Sequence, residues 1–588
     1  MLLNGSEIIS LSRANPHLAN MKLKLFHRRS LIVLMLVPFC VLCWGFGEDY
    51  FQIGKQLELF ADVYREVNTY YVDDINPGKL LKTGVDGMLK TLDPYTNFYT
   101  ESEIEDYRIE HVSADYGGIG VTSFRVGDSV MIFDVYEGYA AQKADIRAGD
   151  VILSANGRSL KGLTTDQVDE LMKGQSGTSI AITLTRIGEA QPLEKKLVRE
   201  EIKVKNVPYY GMINDSTGYI KLDKFLQNCF SEMHDALVDL KKTNPNMTSL
   251  VFDLRGNGGG LLEESVSILN LFIDKGQLLV TQKGKIAGSN NVYETKAEPI
   301  DNKIRVAVLV DKNSASASEI TAGNFQDVDR GVVIGQRSYG KGLVQQTRNL
   351  TYNYQMKLTV AKYFTASGRC VQTKIYTHHT DEGGSFEEVA DSSIKVFKTK
   401  NGRTVYDGSA VYPDVMVNAK DTGNVAKSLY RKLFIFDYAS YYRTKHATID
   451  STGEFKISED DFRDFVKFLD GKKYDYSTQT ELAFADLVET TKHDKYYASA
   501  GTEIDRLGAK LKHNKSEDLL ASKEEIKKML AKEIVGRYYF QKGRYTYMMK
   551  NDDVLLQSLN VLSNPTLYYS ILKGEGQYKV IGKPTSKR

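Results

Sequence analysis

The sequence predicts a multidomain protein that mixes α-helices with β-sheets, and three observations lead to this fold class. Its 588 residues are too many for one ordinary domain. Residues 112–202 carry short alternating segments with many glycines, whereas residues 203–420 carry continuous apolar strands with helices between them, as in a buried α/β sheet. Residues 421–588 are rich in Lys, Glu, Asp, Leu and Tyr at helical spacing, which predicts a C-terminal helical domain.

Composition places the chain among globular proteins and excludes several classes of function. Apolar residues make up 42% of the chain and charged residues 26%. The 77 basic and 75 acidic residues nearly cancel, so no broad positive field would attract nucleic acid. Cys229 and Cys370 are the two cysteines outside the apolar N-terminal segment, and no cysteine pair has the spacing of a zinc site. We therefore expect two buried thiols, no metal and no cofactor.

The N-terminal segment has the pattern of an export signal. Basic residues between positions 22 and 29 precede an apolar run at residues 31–46, and Gly45 and Gly47 are small residues of the kind that a signal peptidase needs. The length of the run suits a signal peptide, and a retained single-span anchor at residues 21–47 stays open. In either case we expect the rest of the chain to be exported, either periplasmic or anchored to the outer face of the inner membrane.

Residues 48–111 predict a pair of packing helices ahead of the β-rich region. Apolar residues recur every three or four positions in the first helix: Leu57, Phe60, Tyr64, Val67 and Tyr71. A second helix is expected over residues 77–92, before the turn at Asp93 and Pro94.

Residues 112–202 combine a glycine-rich loop with short strands and one helix. A glycine-rich loop at residues 116–121 leads into a strand, a second strand and an Asn-Gly turn follow at residues 148–157, and a helix at residues 165–172 precedes a strand at residues 179–186. This order resembles a PDZ domain. In such domains, backbone N–H groups of the loop bind the terminal carboxylate of a peptide that adds a strand beside the helix. The resemblance assigns this role to four residues: Gly118, Ile119, Gly120 and Val121.

Two stretches of the α/β region have residues suited to catalysis. In Asp253–Gly260 a strand ends and glycines free the backbone, which suits N–H groups that point at a developing oxyanion, although a plain strand-to-helix turn has the same pattern. In Lys312–Glu319, Ser316 stands at a strand-to-helix turn, where helical N–H groups and the helix dipole favour negative charge. Ser316 with Glu319 also fits a helix capping box, so this stretch alone leaves both interpretations open.

A third stretch, Gly335–Gly342, has a rival interpretation as a phosphate-binding loop. It contains the G-x-x-x-x-G-K part of that motif, which ends at Lys341. The motif requires Ser or Thr after the lysine, and this chain has Gly342 there. Residues 343–347 also have the pattern of a strand rather than of the required helix. We therefore reject the nucleotide-binding interpretation.

Taken together, the three stretches resemble the carboxyl-terminal processing peptidases, S41-type serine peptidases that carry a PDZ domain before the catalytic core. The resemblance covers residues 50–420 and implies a core of the crotonase and Clp-protease architecture. The central serine of the family's Ser-Ala-Ser-Ala-Ser-Glu motif falls on Ser316, which would be the nucleophile. The lysine of its Gly-Lys-Gly motif falls on Lys341, which would be the general base.

The resemblance also assigns supporting residues. Gln345 would orient the lysine amine, and the oxyanion would be bound by the backbone N–H groups of Ala317 and of a glycine near Gly259. A proline that is common in the family before this glycine pair is Gly258 here, which leaves open which glycine donates. Asp327 matches an acidic position in the family, and we expect its role to be structural.

A lysine can activate a serine only as a neutral amine. Its pKa must therefore fall from about 10.4 towards 7–8 through burial, a desolvation of about 4 kcal/mol. The competing arrangement is a Ser–His–Asp triad, but the nine histidines are scattered, and only His378 and His379 lie near the end of the core, in a polar stretch.

The sequence thus predicts an exported serine endopeptidase that cleaves proteins through an acyl-enzyme and selects them by their free C-termini. The alternative is a catalytically silent PDZ scaffold, and the joint presence of Ser316, Lys341 and Gln345 argues against it. The identity of the substrates, a homo-oligomer and an activating adaptor stay open.

Overall fold

The computed structural model describes residues 50–113, 115–376, 387–418, 422–474, 476, 479–511 and 515–582. The predicted export segment at residues 21–47 and the pair His378 and His379 lie outside the described residues. The chain forms two compact units, Met1–Met88 and Leu89–Arg588. None of the described helices is long and apolar enough to span a lipid bilayer.

The first unit contains a helix at residues 50–70 and the start of the helix Pro77–Lys90. The first helix covers most of the predicted apolar stripe, yet Leu57 and Phe60 keep 65% and 49% of their surface exposed. The Tyr64 hydroxyl donates to the Pro77 carbonyl (2.8 Å), which fixes the turn that follows this helix.

The N-terminal part of the second unit contains a six-stranded antiparallel sheet with a helix, Thr165–Met172, at the predicted residues. The strands follow in the spatial order Val121–Val126, Ser129–Val135, Val151–Ala155, Ser179–Thr185 and Leu193–Val198, with Arg158–Ser159 paired to the third. Tyr116–Gly118 and Glu200–Ile202 form a separate antiparallel pair. Two short helices, Ile104–His111 and Ala140–Lys143, complete this part.

A second six-stranded sheet forms the centre of the unit. Its strands follow in the order Tyr209–Asn214, Thr217–Lys221, Ser249–Asp253, Arg305–Val310, Val332–Gly335 and Val415–Met416. The first pair is antiparallel and the others are parallel. Every residue of Ser249–Asp253 is buried, which explains why this strand has a continuous apolar pattern.

Both faces of the central sheet are covered by helices. One face shares its apolar core with the helices Cys229–Thr243, Leu262–Leu269 and Ala317–Asp327. The other face packs against the last two helices of the chain, Asp553–Ser563 and Pro565–Lys573. The end of the chain therefore completes the hydrophobic core of the central sheet.

A third sheet is antiparallel and contains the strand that follows Lys341. Its order is Asn97–Tyr99, Gln355–Phe364, Leu278–Gly284 and Asn291–Glu294, with Leu343–Asn349 also paired to Gln355–Phe364. Two small pairs join Lys374–Ile375 to Glu387–Glu388 and Val396–Lys398 to Thr404–Tyr406. Short 3-10 turns lie at Glu101–Glu103, Ala287–Ser289, Thr351–Asn353, Asp391–Ser393 and Gly576–Lys579.

The remaining C-terminal residues are helical, as predicted. The helices before the last two are Asn424–Arg431, Phe434–Lys445, Glu459–Phe468, Gln479–His493, Tyr497–Leu511, Lys515–Ala521 and Lys523–Met549. Many of them share a separate apolar core. The domain boundary expected at residue 421 stays a prediction, because the last two helices belong to the core of the central sheet.

Candidate active site

Ser316 stands at a tight turn between the strand Arg305–Val310 and the helix Ala317–Asp327. Its backbone has a φ of 54°, in the left-handed region that costs a non-glycine residue about 1–3 kcal/mol. The helix is buried over its whole length, and Ser316 itself is half-buried. Strain that the surrounding structure maintains in this way is typical of functional sites.

The second glycine-rich loop of the chain, at residues 253–260, lies directly against Ser316 and is called the glycine-rich loop from here on. Gly259 has a φ of 100°, and a Cβ atom there would come within 2.8 Å of the Ser316 Cβ and 2.9 Å of the Ala317 nitrogen. Only glycine permits both this backbone conformation and this close approach. The structure therefore places Gly259 and Ala317, the two residues predicted for the oxyanion hole, side by side at Ser316.

The predicted oxyanion donors differ in their hydrogen bonding. Among the described residues, the Ala317 N–H has no acceptor, as is common for the first N–H of a helix. The Gly259 N–H instead donates to Asn257 Oδ1 (2.8 Å). Within the same described part of the chain, the amides of Gly258 and Gly260 donate no hydrogen bond. Which glycine completes the hole stays a prediction, and these two neighbouring amides are the available donors.

Asn257, to which the sequence assigned no role, fixes the glycine-rich loop. It is fully buried, and its Nδ2 donates to the Leu222 carbonyl (2.9 Å). Its own carbonyl accepts from the Ala315 nitrogen (3.0 Å) and from the Ser318 hydroxyl (2.8 Å). These bonds tie the loop to both flanks of Ser316. The sequence signal that could have revealed this role is an asparagine between two glycines, next to a buried strand.

Lys341 lies on the loop before the strand Leu343–Asn349. Burial lowers the pKa of its amine to about 8, and the positive charge of Lys357 acts in the same direction, while Asp93 and Glu319 oppose them. An amine with this pKa is half neutral at pH 8, in the range that a general base requires.

The Lys341 amine rests on an aromatic ring rather than on the serine. Its Nζ atom lies 4.2 Å from the centroid of the Tyr95 ring, and no hydrogen bond joins it to the Ser316 hydroxyl, both residues being described. The Tyr95 hydroxyl contacts those of Tyr376 (3.2 Å) and Tyr339 (3.3 Å). Hydrogen bonds between catalytic groups often form fully only with substrate bound, so a Lys341 base would leave this ring during the reaction.

The Glu319 carboxylate joins the loops of Ser316 and Lys341. Its Oε2 accepts from the Ser316 N–H (3.0 Å) and the Lys341 N–H (2.8 Å). Its Oε1 accepts from the Gly340 N–H (2.7 Å) and the Ser338 hydroxyl (2.5 Å). Burial raises the pKa of Glu319 to about 7, against the effect of these four bonds. The capping pattern in the sequence indicated the contact with Ser316 but not the contacts with the lysine loop.

Two further side chains border Lys341. The Tyr363 hydroxyl donates to the Lys341 carbonyl (2.6 Å) and lies 3.2 Å from the Ser316 carbonyl, so it bridges the same two loops. Gln345 donates through Nε2 to the Thr359 hydroxyl (3.1 Å). Gln345 and Lys341 are both described residues, and no hydrogen bond joins the Gln345 side chain to the Lys341 amine. The orienting role of Gln345 stays a prediction.

Two buried aspartates of the core form ion pairs. Burial opposes ionisation of Asp253, but the charges of Arg255 and Lys221 hold its pKa at about 2. Asp327 pairs with Arg369 (2.7 Å), with both side chains almost fully buried, as a structural role would require. Within the described ranges, no group of three or more His, Cys, Asp or Glu side chains is arranged to hold a metal ion.

Two cavities accompany these residues. One of about 400 Å³ lies beside the lysine loop and is lined in part by Asp93, Leu343, Thr359 and Tyr376. The other, of about 340 Å³, lies at the strand Val121–Val126 of the six-stranded antiparallel sheet.

Three of the four residues predicted to bind a peptide line the second cavity, Gly118, Ile119 and Val121, together with Met172 at the end of the helix Thr165–Met172. Gly120 in the same loop has a φ of 81°, and a Cβ there would come within 2.6 Å of the Tyr139 Cβ. The loop thus has the close backbone packing that glycine permits.

Comparison with known proteins identifies the family. The models "Peptidase family S41", "PDZ domain" and "Probable PDZ-protease, C-terminal helical domain" match residues 216–380, 131–186 and 425–562. The carboxy-terminal-processing protease of Bartonella bacilliformis is 34% identical over 322 residues, which cover 54% of this chain and 73% of that protein. This chain belongs to the carboxy-terminal-processing proteases. The family match over the core contains Ser316, Lys341 and Gln345.

Other similar proteins are also described as proteases. A probable CtpA-like serine protease of Staphylococcus aureus is 36% identical over 324 residues, which cover 54% of this chain and 63% of that protein, a little less than two thirds. Among solved structures, a photosystem II D1 C-terminal processing protease is 25% identical with a TM-score of 0.34, over 61% of this chain and 92% of that one.

These matches confirm the predicted fold class, with a PDZ domain, an S41 protease core and a C-terminal helical domain, and the prediction of a serine protease of this family. The family likeness also extends past residue 420, where the resemblance read from the motifs ended.

Proposed function

We propose that this chain is a serine endopeptidase in which Ser316 is the nucleophile and Lys341 the general base. The neutral amine takes the proton of the Ser316 hydroxyl while Oγ attacks the carbonyl carbon of the scissile bond. The Ala317 N–H and one amide of residues 258–260 stabilise the negative charge on the carbonyl oxygen. The C–N bond then breaks, the departing amine takes the proton from Lys341, and an acyl-Ser316 ester remains. Lys341 next takes a proton from water while the hydroxide attacks the acyl carbon. The ester C–O bond then breaks, and Ser316 Oγ leaves with the proton that Lys341 returns, which restores the free hydroxyl and the neutral amine.

One observation carries the proposal. The amine of Lys341 is buried and has a pKa of about 8, on a loop that shares a single carboxylate oxygen of Glu319 with the backbone of Ser316. A lysine that served only as a solvated surface charge would keep a pKa near 10.4. A catalytically silent scaffold would have no use for a lysine of lowered pKa on a loop that is joined to a strained serine.

We further propose that the PDZ domain selects substrates by their free C-termini. The loop Gly118–Val121 borders a cavity of about 340 Å³, large enough for the last residues of a peptide. The apolar side chains of Ile119, Val121 and Met172 favour an apolar last residue, and the Lys224 ammonium also lines the cavity. A terminal carboxylate would accept charge-assisted hydrogen bonds from the loop N–H groups.

Covalent labelling tests the catalytic proposal. A small p-nitrophenyl ester should acylate Ser316 of the wild-type protein, as located by mass spectrometry of the peptide that contains it. Ser316→Ala and Lys341→Met should leave this peptide unlabelled, with unchanged thermal unfolding. Ser314→Ala serves as the matched control, because the Ser314 hydroxyl is committed to the Leu254 carbonyl (2.9 Å). Equal labelling of Lys341→Met would contradict a lysine base, and no labelling of the wild type would favour the silent scaffold.

We also propose that the chain is exported, either with a cleaved signal peptide or with a retained anchor at residues 21–47. The basic flank and the apolar run in the sequence support this proposal. Sequencing the N-terminus of the mature protein separates the two forms, since cleavage would give a new terminus near Gly47. A protein that stays in the cytoplasm with its N-terminal segment intact would contradict both.

A further inference from the structure

The long C-terminal helix Lys523–Met549 contacts the PDZ domain. Arg544 donates through Nη1 to Asp134 Oδ2 (2.6 Å), and Asp134 lies on the strand Ser129–Val135 of the PDZ sheet. Both side chains are largely buried, with 12% and 15% of their surface exposed. The pair is thus a specific attachment rather than a solvated surface contact.

The next residue of the same helix contacts the protease core. The Tyr545 hydroxyl donates to Asp223 Oδ2 (2.9 Å), and Asp223 lies two residues after the strand Thr217–Lys221. The other oxygen of Asp223 lies 3.2 Å from the Lys221 Nζ, which itself donates to the Arg255 carbonyl (2.6 Å). Tyr545 therefore connects, through the side chains of Asp223 and Lys221, to Arg255, the residue before the first glycine of the loop.

The local backbone explains how neighbouring residues reach two domains. Successive side chains of a helix point about 100° apart, so residues 544 and 545 face different directions. The helix is kinked at Phe540, which has a φ of 53°, and Gly536 lets the Arg544 guanidinium lie close to the helix. A Cβ on Gly536 would come within 2.2 Å of the Arg544 Nε.

A second connection reaches the glycine-rich loop from the following helix. Asp552 Oδ2 forms an ion pair with Arg255 Nη2 (2.6 Å). Its Oδ1 caps the helix Asp553–Ser563 by accepting hydrogen bonds from the Val554 and Leu555 N–H groups (3.0 and 3.1 Å). Arg255 also pairs with the buried Asp253 (2.5 Å). Both the carbonyl and the guanidinium of Arg255 are thus held by chains of contacts that end in the C-terminal helices.

We propose that the C-terminal helical domain positions the glycine-rich loop at Ser316, and that Tyr545 and Asp552 are its positioning residues. The inference rests on the proposed function, in which an amide of this loop stabilises the oxyanion. Four of the five residues 256–260 are glycines, and Asn257 supplies the one side chain of this segment, which binds the Leu222 carbonyl and the Gly259 N–H. The position of the segment therefore also depends on how its start at Arg255 is anchored. Buried polar pairs that specify a position, rather than add much net stability, suit this role. Arg544 attaches the PDZ domain to the same helix, so the PDZ domain and the protease core both contact the helix Lys523–Met549.

The test compares acylation of Ser316 by a small p-nitrophenyl ester in three full-length variants. Asp552→Asn keeps the helix cap, because asparagine caps as well as aspartate, but removes one of the two negative charges that hold Arg255 and leaves that of Asp253. Tyr545→Phe keeps the ring and removes the hydroxyl that binds Asp223. Tyr547→Phe is the matched control on the same helix, since its hydroxyl makes no hydrogen bond within the described part of the chain.

We expect Asp552→Asn and Tyr545→Phe each to lower the limiting rate constant of acylation by about tenfold or more, because small displacements of groups that bind the transition state are costly. The ester concentration at half-saturation should change little. The double variant should lose less than the product of the two single losses, because both act on one loop. Tyr547→Phe should acylate at the wild-type rate. Thermal unfolding of each variant gives the folded fraction against which the rates are normalised.

Two results would overturn the inference. Rates within twofold of wild type in both variants, or losses that follow only the folded fraction, would make these contacts structural. If the wild type is labelled at Ser316 while the variants behave in this way, the proposed function stands and the positioning role falls. If the wild type is not labelled at all, the proposed function falls, and this inference falls with it.

Discussion

The burial of Lys341 predicts how the reactivity of Ser316 depends on pH. Only the neutral amine can accept the serine proton, so acylation should rise with pH and level off above the lysine pKa of about 8. Relative to an ordinary value of 10.5, this pKa corresponds to about 3 kcal/mol of interaction that favours the neutral form. At pH 7 about one amine in ten is then neutral, compared with about one in three thousand for an unperturbed lysine.

The assay measures the second-order rate constant of acylation by a small p-nitrophenyl ester from pH 5.5 to 9.5, with the acyl-Ser316 peptide quantified by mass spectrometry. Below pH 7 the rate should increase about tenfold per pH unit, and the midpoint should lie near 8. Glu319, whose pKa is raised by burial to about 7, ionises in the same range and can add a second inflection. A charge variant is therefore needed to assign the midpoint to the lysine.

Lys357→Met supplies this variant. The positive charge of Lys357 is one of the two causes that lower the pKa of Lys341, so its removal should move the midpoint upwards and slow acylation at pH 7 by about twofold or more. Lys362→Met removes a charge from the same strand that does not act on Lys341, and its profile should match the wild type. A flat profile, a midpoint near 6.5, or an equal shift in both variants would refute a lysine base.

Three further predictions follow from the site. Gly259→Ala should lower the rate of acylation at least about 100-fold, because its Cβ would come within 3 Å of Ser316 and Ala317. Gly258→Ala is the control and should lose far less, because its Cβ would meet no atom within 4 Å. Equal rates in the two variants would contradict the placement of the loop. Amidation of a substrate's C-terminus should weaken its cleavage about tenfold, and Gly120→Val should do the same without affecting ester acylation, as tested with acid and amide forms of one peptide. Tyr95→Leu should speed ester acylation at pH 7, because the ring favours the charged amine, and a slower rate would show that the ring helps the base.

Local patterns predicted much of the fold because local physics decides those elements. The strand at residues 305–310 and the helix at 165–172 have unambiguous periodicity, and the structure places both at the predicted residues. The position of Ser316 followed from the apolar strand before it and the helix after it. The same reasoning could not show what covers the far face of the central sheet, since periodicity identifies an apolar face but not its partner.

The residues that the sequence analysis missed act through contacts distant in sequence. Glu319 appeared as a helix cap, yet it also binds Gly340 and Lys341 about twenty residues away. Asn257 stood among glycines without a role, although it ties the loop to Leu222, Ala315 and Ser318. Spacing in a single chain cannot reveal such contacts, because they depend on how the strands are ordered in the sheet.

The electrostatics of the site explain why one carboxylate binds both the loop of Ser316 and the loop of Lys341. A negative Glu319 favours the charged form of Lys341 and so works against a neutral base. Its own burial has the opposite effect, because it raises the pKa of Glu319 to about 7 and leaves the carboxyl partly protonated at neutral pH. The four hydrogen bonds that the Glu319 carboxylate accepts favour its ionised form, which holds the backbones of Ser316 and Lys341 together. Asp93 already raises the pKa of Lys341 in the same direction, and a further carboxylate near the amine would raise it more. An apolar residue at position 319 would instead release both loops. The buried, multiply bonded glutamate satisfies both requirements, since it binds backbone N–H groups of each loop and the more distant lysine amine keeps a pKa of about 8.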